Sequence, residues 1–303
     1  MIKNYVSSSF NKKIIFKNVV VYKNVFNDIK EIFEFIKNTE EYSQKEYIFS
    51  PWIDWNANWP GRATFVDKKI DIGLKENISK KELEENIIVK NFYDACHLVF
   101  KDYINNNKNN IDFGYDIDNF DDIDNFPFSF SGISFLKYDE PNSKSDFNYD
   151  SIAMNYHADA AYEFKESAEH KLLITFTIYL NDNYTGGQIS FYNEQEGTVY
   201  NYKPKAGDIT VFPSAVPFYH GVMPFDGGPR YLCRIFFQYY YDGSDEWNKN
   251  KKSFGEKIWD EKEMIKRKEY QKSGGNLLEI SYDGVKRTSF KTVFLDKDII
   301  EVD

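Results

Sequence analysis

The run Leu172-Leu173-Ile174-Thr175-Phe176-Thr177-Ile178-Tyr179-Leu180 decides the fold. It is rich in β-branched and aromatic residues and reads as a strand. Downstream, similar short runs recur at 188–192, 198–203, 208–213, 218–222 and 230–240. Turn signals separate them: Gly186-Gly187, the segment from Pro204 to Gly207, and Gly227-Gly228-Pro229. Upstream, 128–138 and 153–157 read the same way. Evenly spaced short strands with Gly and Pro turns predict a sandwich or jelly roll.

Working outward, the N-terminal third is mixed. Residues 14–22 read as one strand. Asn27 is placed to cap a helix whose apolar face is Ile29, Ile32, Phe33 and Ile36. An aromatic segment follows, with Trp52, Trp55, Trp59 and Arg62. It could form a lip over a pocket, but packing on the barrel is the favoured reading. The longest helix is expected from Ser79, where Ser79 and Glu82 fit a capping box. Leu83, Ile87, Phe92, Cys96, Val99, Phe100 and Tyr103 carry its apolar period. The acidic stretch 112–124 lacks the spacing of a calcium loop and reads as solvated. After residue 241 the chain is charged. A helix is expected over 253–271, with edge strands over 277–303.

The expected class is therefore α+β, mainly β. Residues 1–125 are a supporting strand and helix region, 126–241 the core, and 242–303 an extension that packs on the core or serves a homodimer. There is no internal repeat.

Bulk properties narrow the partners. The chain has 303 residues, 42% hydrophobic and 18% aromatic, enough for a sizeable core. A net charge of −10 argues against a nucleic-acid partner, which needs a basic stripe. The two cysteines, Cys96 and Cys233, sit in apolar runs and read as buried thiols. No apolar run approaches the roughly 20 residues needed to span a bilayer, so no membrane is expected and the default location is cytoplasmic.

The chemistry concentrates around His157-Ala158-Asp159. On a strand, residues two apart share a face, so an imidazole and a carboxylate stand side by side. Of the four histidines, His220 lies on a later strand and can supply a second imidazole. His97 falls in the long helix and His170 among charges. Two histidines and one carboxylate are the facial set that holds non-haem Fe(II) with positions left open. Arg230 follows His220 by ten residues, across the turn Asp226-Gly227-Gly228-Pro229. Its fork suits a carboxylate. The bland alternative is that these are ordinary polar residues of a β-sandwich.

The ordered motifs favour the specific reading. Tyr156-His157-Ala158-Asp159, Thr177-Ile178-Tyr179-Leu180-Asn181-Asp182, Gly186-Gly187-Gln188-Ile189-Ser190-Phe191, Lys205-Ala206-Gly207-Asp208-Ile209-Thr210-Val211-Phe212, His220-Gly221-Val222 and Gly228-Pro229-Arg230-Tyr231 occur in that order. Together they resemble the prolyl 4-hydroxylase-like branch of the 2-oxoglutarate- and Fe(II)-dependent oxygenase superfamily. The resemblance covers roughly residues 130–240. It implies a double-stranded β-helix, a cupin-like jelly roll. It implies a dioxygenase with Fe(II) on His157, Asp159 and His220, 2-oxoglutarate on Arg230, and O2 as co-reactant, with ascorbate as a supporting reductant. Tyr179 and Tyr138 match tyrosines that contact the cosubstrate in that branch. The implied reaction decarboxylates 2-oxoglutarate to succinate and hydroxylates an unactivated C–H bond.

The departures bear on substrate. Met154 stands where many prolyl hydroxylases carry a tyrosine. Leu232 and Phe236 depart from the Arg-x-Asn-x-Thr-x-Arg series of nucleic-acid demethylases. Asp159 fills the place that halogenating members leave empty. Arg234 shares the parity of Arg230 and is open between a cosubstrate contact, a substrate contact and an ion pair. The expected substrate is a prolyl or lysyl residue of a peptide. A free amino acid or small metabolite is the alternative, and a cupin-like metal-binding module without turnover is the non-enzyme reading.

Overall fold

The computed structural model describes residues 5–37, 52–54, 61–65, 87–107, 128–139, 154–157, 159, 171–193, 196–214, 218–239 and 298–302. The stretch expected as one strand over 14–22 is a hairpin of β1 (Asn11–Phe16) and β2 (Val19–Lys23). Lys17, at φ +37°, and Asn18 make the two-residue turn. Such turns need a left-handed residue, and Lys17 is not a residue type that advertises one. Helix α1 (Ile29–Lys37) follows. Its cap is Asp28, whose Oδ1 accepts from the Lys30 amide at 3.0 Å, and not Asn27.

Two short strands, β3 (Ile53–Asp54) and β4 (Gly61–Phe65), precede helix α2 (Ile87–Asn107). The expected start of α2 at Ser79 lies outside the described residues. So do the acidic stretch, Trp55, Trp59, His170 and the expected helix at 253–271. Trp52 is buried and meets Tyr231 edge-on at 5.9 Å, so this tryptophan packs on the sheet.

The remaining strands are β5 (Phe128–Phe130), β6 (Ser134–Tyr138), β7 (Met154–His157), β8 (Lys171–Tyr179), β9 (Thr185–Gly186), β10 (Ile189–Asn193), β11 (Thr198–Tyr202), β12 (Ile209–Pro213), β13 (Tyr219–Val222), β14 (Phe225–Asp226), β15 (Arg230–Tyr239) and β16 (Asp298–Val302). Together with β1–β4 they form a nine-stranded sheet containing β12-β8-β15-β6, a five-stranded sheet ordered β16-β11-β10-β13-β7, and a two-stranded pair of β14 and β9. From β6 to β15 the chain crosses between the two sheets at every step but the β10–β11 hairpin and the short β9 and β14, leaving β6, β8, β12 and β15 on one and β7, β10, β11 and β13 on the other. Two facing sheets joined by these repeated crossings make a jelly roll.

Strand parity separates the core from the site. On β8, Ile174, Phe176 and Ile178 face the helices, in one cluster with Phe92 and Phe100 of α2. The intervening Thr175, Thr177 and Tyr179 face the space between the sheets. On β15, Tyr231, Cys233, Ile235 and Phe237 join the helix-side cluster, while Leu232 joins the inter-sheet cluster with Tyr138, Tyr179, Phe191 and Phe212. Both faces of these strands are covered, which is why the sequence is almost continuously apolar. Cys96 and Cys233 are both buried and free, as expected. No described helix is long and apolar enough to cross a membrane.

Candidate active site

The antiparallel ladder between β13 and β7 sets His220 directly opposite His157. Their rings stand 4.4 Å apart. Asp159, just past the end of β7, completes a triangle. Its Oδ1 is 3.7 Å from His157 Nε2 and its Oδ2 3.6 Å from His220 Nε2. One potential ligand atom from each of the three residues lies within 4.8 Å of the others. This is the two-histidine, one-carboxylate arrangement that suits a six-coordinate metal with open positions.

The electrostatics favour a cation there. Burial pushes His220 down to about 4, so its ring is neutral at ordinary pH. Its Nδ1 faces the Phe218 carbonyl at 3.4 Å. A carbonyl can only accept, so Nδ1 carries the hydrogen and Nε2 keeps its lone pair for a metal. Burial works to raise the Asp159 pKa, but His220, His157 and Arg234 together override it and hold the carboxyl below the usual carboxylate range. Phe191 and Phe212 pack around the His220 ring and keep that side dry.

Deeper in the same pocket lies Arg230, 1% exposed. Its Nε and Nη1 are buried and make no hydrogen bond. A guanidinium with two buried, unspent donors is costly unless an anion takes them. Its Cζ stands 5.3 Å from the ring centres of both Tyr138 and Tyr179. The Tyr179 hydroxyl accepts from Thr210 Oγ1 at 3.1 Å, which leaves its own hydrogen to donate. Tyr184 was not foreseen from the sequence. Its buried hydroxyl sits beside the Arg230 guanidinium, short of hydrogen-bond geometry and without another partner. Gly187, at φ +65°, makes room for that ring: a Cβ there would stand 2.7 Å from Tyr184 Cε2.

Asn181 explains how Arg230 is aimed. Its Oδ1 accepts from the Tyr231 amide at 2.7 Å and its Nδ2 donates to the Pro229 carbonyl at 2.8 Å. The side chain thus clamps the backbone on both sides of Arg230. Arg234 also lines the pocket, with Nη1 3.7 Å from Asp159 Oδ1 and Cζ 4.9 Å from the Phe236 ring centre. His97 stays in α2, edge-on to Phe130 at 4.7 Å, away from the site.

Residues 147–238 match the family described as the 2OG-Fe(II) oxygenase superfamily. The triad, Arg230, Tyr179 and Arg234 all fall inside that segment. This segment, just under a third of the chain, is similar to the core of that superfamily, whose cofactors are Fe(II) and 2-oxoglutarate. The residues present fit both. The triad is an iron donor set, and Arg230 holds unspent buried donors for a carboxylate.

No curated protein matches the chain. Among solved structures, a prolyl hydroxylase from Trichoplax adhaerens, in complex with a hypoxia inducible factor oxygen degradation domain peptide fragment, is similar at 15% identity and a TM-score of 0.44, covering 73% of this chain and 83% of that one. A prolyl-4-hydroxylase from Pseudomonas putida is similar at 15% identity and 0.40, covering 70% and 86%. HygX from Streptomyces hygroscopicus, with nickel and 2-oxoglutarate bound, is similar at 12% identity and 0.40, covering 76% and 85%. Likeness this distant carries no argument about substrate.

Proposed function

We propose that the protein is a 2-oxoglutarate-dependent hydroxylase in which His157, Asp159 and His220 hold Fe(II) and Arg230 receives the far carboxylate of 2-oxoglutarate. The observation that carries this reading is the pairing, in one pocket, of the triad with a buried guanidinium that has two unspent donors. Bound Fe(II) and 2-oxoglutarate supply the O2-dependent oxidation of an unactivated C–H bond, with release of succinate and carbon dioxide.

The chain's own residues do the positioning. His220, kept neutral by burial, and His157 give nitrogen ligands, and Asp159 gives charge. Arg230 would pair the anion with its two free donors, Tyr179 would add a hydroxyl donor held by Thr210, and Tyr138 borders the same guanidinium. Phe191 and Phe212 exclude water from the metal side.

For substrate, the motif resemblance supports a prolyl or lysyl residue of a peptide. A second reading, a free amino acid or small carboxylate, is favoured by Arg234, which adds another guanidinium to the pocket wall beside Asp159. An internal prolyl residue brings no carboxylate to meet it, whereas a free amino acid does.

The test is succinate release with Fe(II), 2-oxoglutarate and ascorbate. The panel sets proline- and lysine-containing peptides against free amino acids. Turnover stimulated by one class selects it. Absence of both metal and 2-oxoglutarate binding in the purified protein sinks the oxygenase reading. Turnover that survives Asp159→Ala removes the carboxylate from the metal set.

A further inference from the structure

The carboxylate of Asp159 is held from behind by groups that the reaction does not consume. Thr175 Oγ1 donates to Asp159 Oδ2 at 2.7 Å, and Thr175 Oγ1 stands 2.8 Å from Ser214 Oγ. Thr175 is 1% exposed and Ser214 is fully buried. A hydroxyl has one hydrogen to give, and a carboxylate acting as a metal ligand has none. The Thr175 hydrogen is therefore committed to Asp159, and the hydrogen between the two hydroxyls must come from Ser214.

The contact has a direction: Ser214 donates to Thr175, and Thr175 donates to Asp159. Both hydroxyls are placed by the ladder between β12 and β8, where Phe212 faces Thr175 and Pro213 faces Ile174. Ser214 is anchored just beyond β12, its amide donating to the Leu173 carbonyl at 3.0 Å. Asp159 itself lies past the end of its strand, with no ladder of its own to fix it. The loop residue is thus oriented by two residues of the rigid sheet.

We propose that Ser214 and Thr175 form a two-hydroxyl relay that positions Asp159, pinning one carboxylate oxygen so that the side chain meets the metal in a single orientation. They are positioning residues, acting on the metal through Asp159. The proposal rests on the reading of Asp159 as a metal ligand. Partners that orient metal ligands typically cost about 10–100-fold in metal affinity when removed.

The experiment is Mn(II) binding to the purified full chain, measured by calorimetry without 2-oxoglutarate, beside thermal melting of each variant. Thr175→Val, which keeps the shape and loses the donor, should weaken Mn(II) binding by about 10–100-fold. Thr175→Ser, which restores the donor, should recover most of it. Ser214→Ala should weaken binding by less, since the Thr175 hydroxyl survives without its orienting partner. The double variant should bind no more weakly than Thr175→Val alone, because Ser214 acts only through Thr175.

Additive losses, or no recovery in Thr175→Ser, would mark a packing effect and overturn the relay. So would wild-type affinity in both Thr175→Val and Ser214→Ala. If Thr175→Val does not fold, the comparison of Ser214→Ala with wild type decides alone. Failure of the wild-type chain to bind Mn(II) would instead overturn the metal reading of Asp159, and the relay with it.

Discussion

Replacing Arg230 by methionine should separate folding from cosubstrate binding. The guanidinium is 1% exposed and leaves Nε and Nη1 without partners. Two charge-assisted bonds to a carboxylate, at about 1.5–3 kcal/mol each, contribute about 3–6 kcal/mol. Arg230→Met should therefore weaken 2-oxoglutarate binding by roughly 10²–10⁴-fold. Without cosubstrate the sign reverses. A buried cation with unspent donors costs stability, and an apolar side chain of similar length removes that cost. Lost contact with the Tyr138 and Tyr179 rings offsets part of the gain. A net gain of about 1 kcal/mol would raise the melting temperature of the cosubstrate-free variant by about 2–4 °C. Calorimetry with Mn(II) in place of Fe(II), under nitrogen, reads the affinity, and melting curves with and without 2-oxoglutarate read the stability. Binding within about threefold of wild type would refute the reasoning, since even one lost charge-assisted bond exceeds that. A variant that loses both binding and stability would show that Arg230 is structural. Arg234→Met is the internal comparison: if it abolishes 2-oxoglutarate binding while Arg230→Met does not, the carboxylate sits on the other arginine.

Tyr184→Phe removes a buried hydroxyl beside Arg230 and should raise the KM for 2-oxoglutarate by roughly 10–100-fold, with kcat little changed, as expected for one hydrogen bond to a charged carboxylate. An unchanged KM would mean that this hydroxyl never reaches the cosubstrate. Burial, together with Arg230 nearby, pushes Lys203 down to about 8. Its positive charge near the carboxylate site is present below that pH and lost above it, so 2-oxoglutarate affinity should fall as pH rises through about 8 to 9, while Arg230 stays charged. Lys203→Met should flatten that profile in calorimetric titrations; a wild-type profile already flat across the range would refute the assignment. Phe176→Ala, on the helix side of β8, should cost about 3–5 kcal/mol in urea unfolding and leave the 2-oxoglutarate Kd unchanged in the folded fraction. A changed Kd would mean that the two faces of the strand are coupled.

The candidate metal ligands and Arg230 could be picked out in the sequence because their spacing is local to strands. His157 and Asp159 needed only the parity of a single segment, and Arg230 only its distance from His220 across a Gly-Pro turn. The pairing of His157 with His220 was a different matter. It depends on β13 lying beside β7, which no local spacing encodes. Tyr184 escaped because it lies in a turn, where side-chain direction follows backbone dihedrals and not a period. Thr175 and Ser214 escaped because their contacts are not local: Thr175 reaches Asp159 beyond the end of β7, and Ser214 reaches Thr175 beside the β12–β8 ladder. The hairpin at Lys17-Asn18 was hidden by apolar residues on both sides, so the periodicity carried no break. Asp28 displaced Asn27 as the cap because adjacent capping residues differ by one position, and only the amide they reach decides between them.

The site is as rigid as the strands that carry it, and two strands carry most of it. On β8 the helix-facing residues Ile174, Phe176 and Ile178 bind the strand to α2, while Thr175 and Tyr179 face inward to Asp159 and Arg230. On β15 the helix-facing Tyr231, Cys233, Ile235 and Phe237 do the same for Arg230 and Arg234. Adjacent β8 and β15 share a register in which Leu232 meets Tyr179 and Arg234 meets Thr177. A one-residue slip between them would turn every inward polar group toward the helices and every phenylalanine into the pocket. The apolar face thus selects the register, and the register places the donors. The Phe-rich core supplies stability and also sets the alignment of Tyr179, two threonines and two arginines around one small space. Asp159, past the end of β7, lies outside that alignment, and it is the ligand that needs Thr175 and Ser214 to orient it.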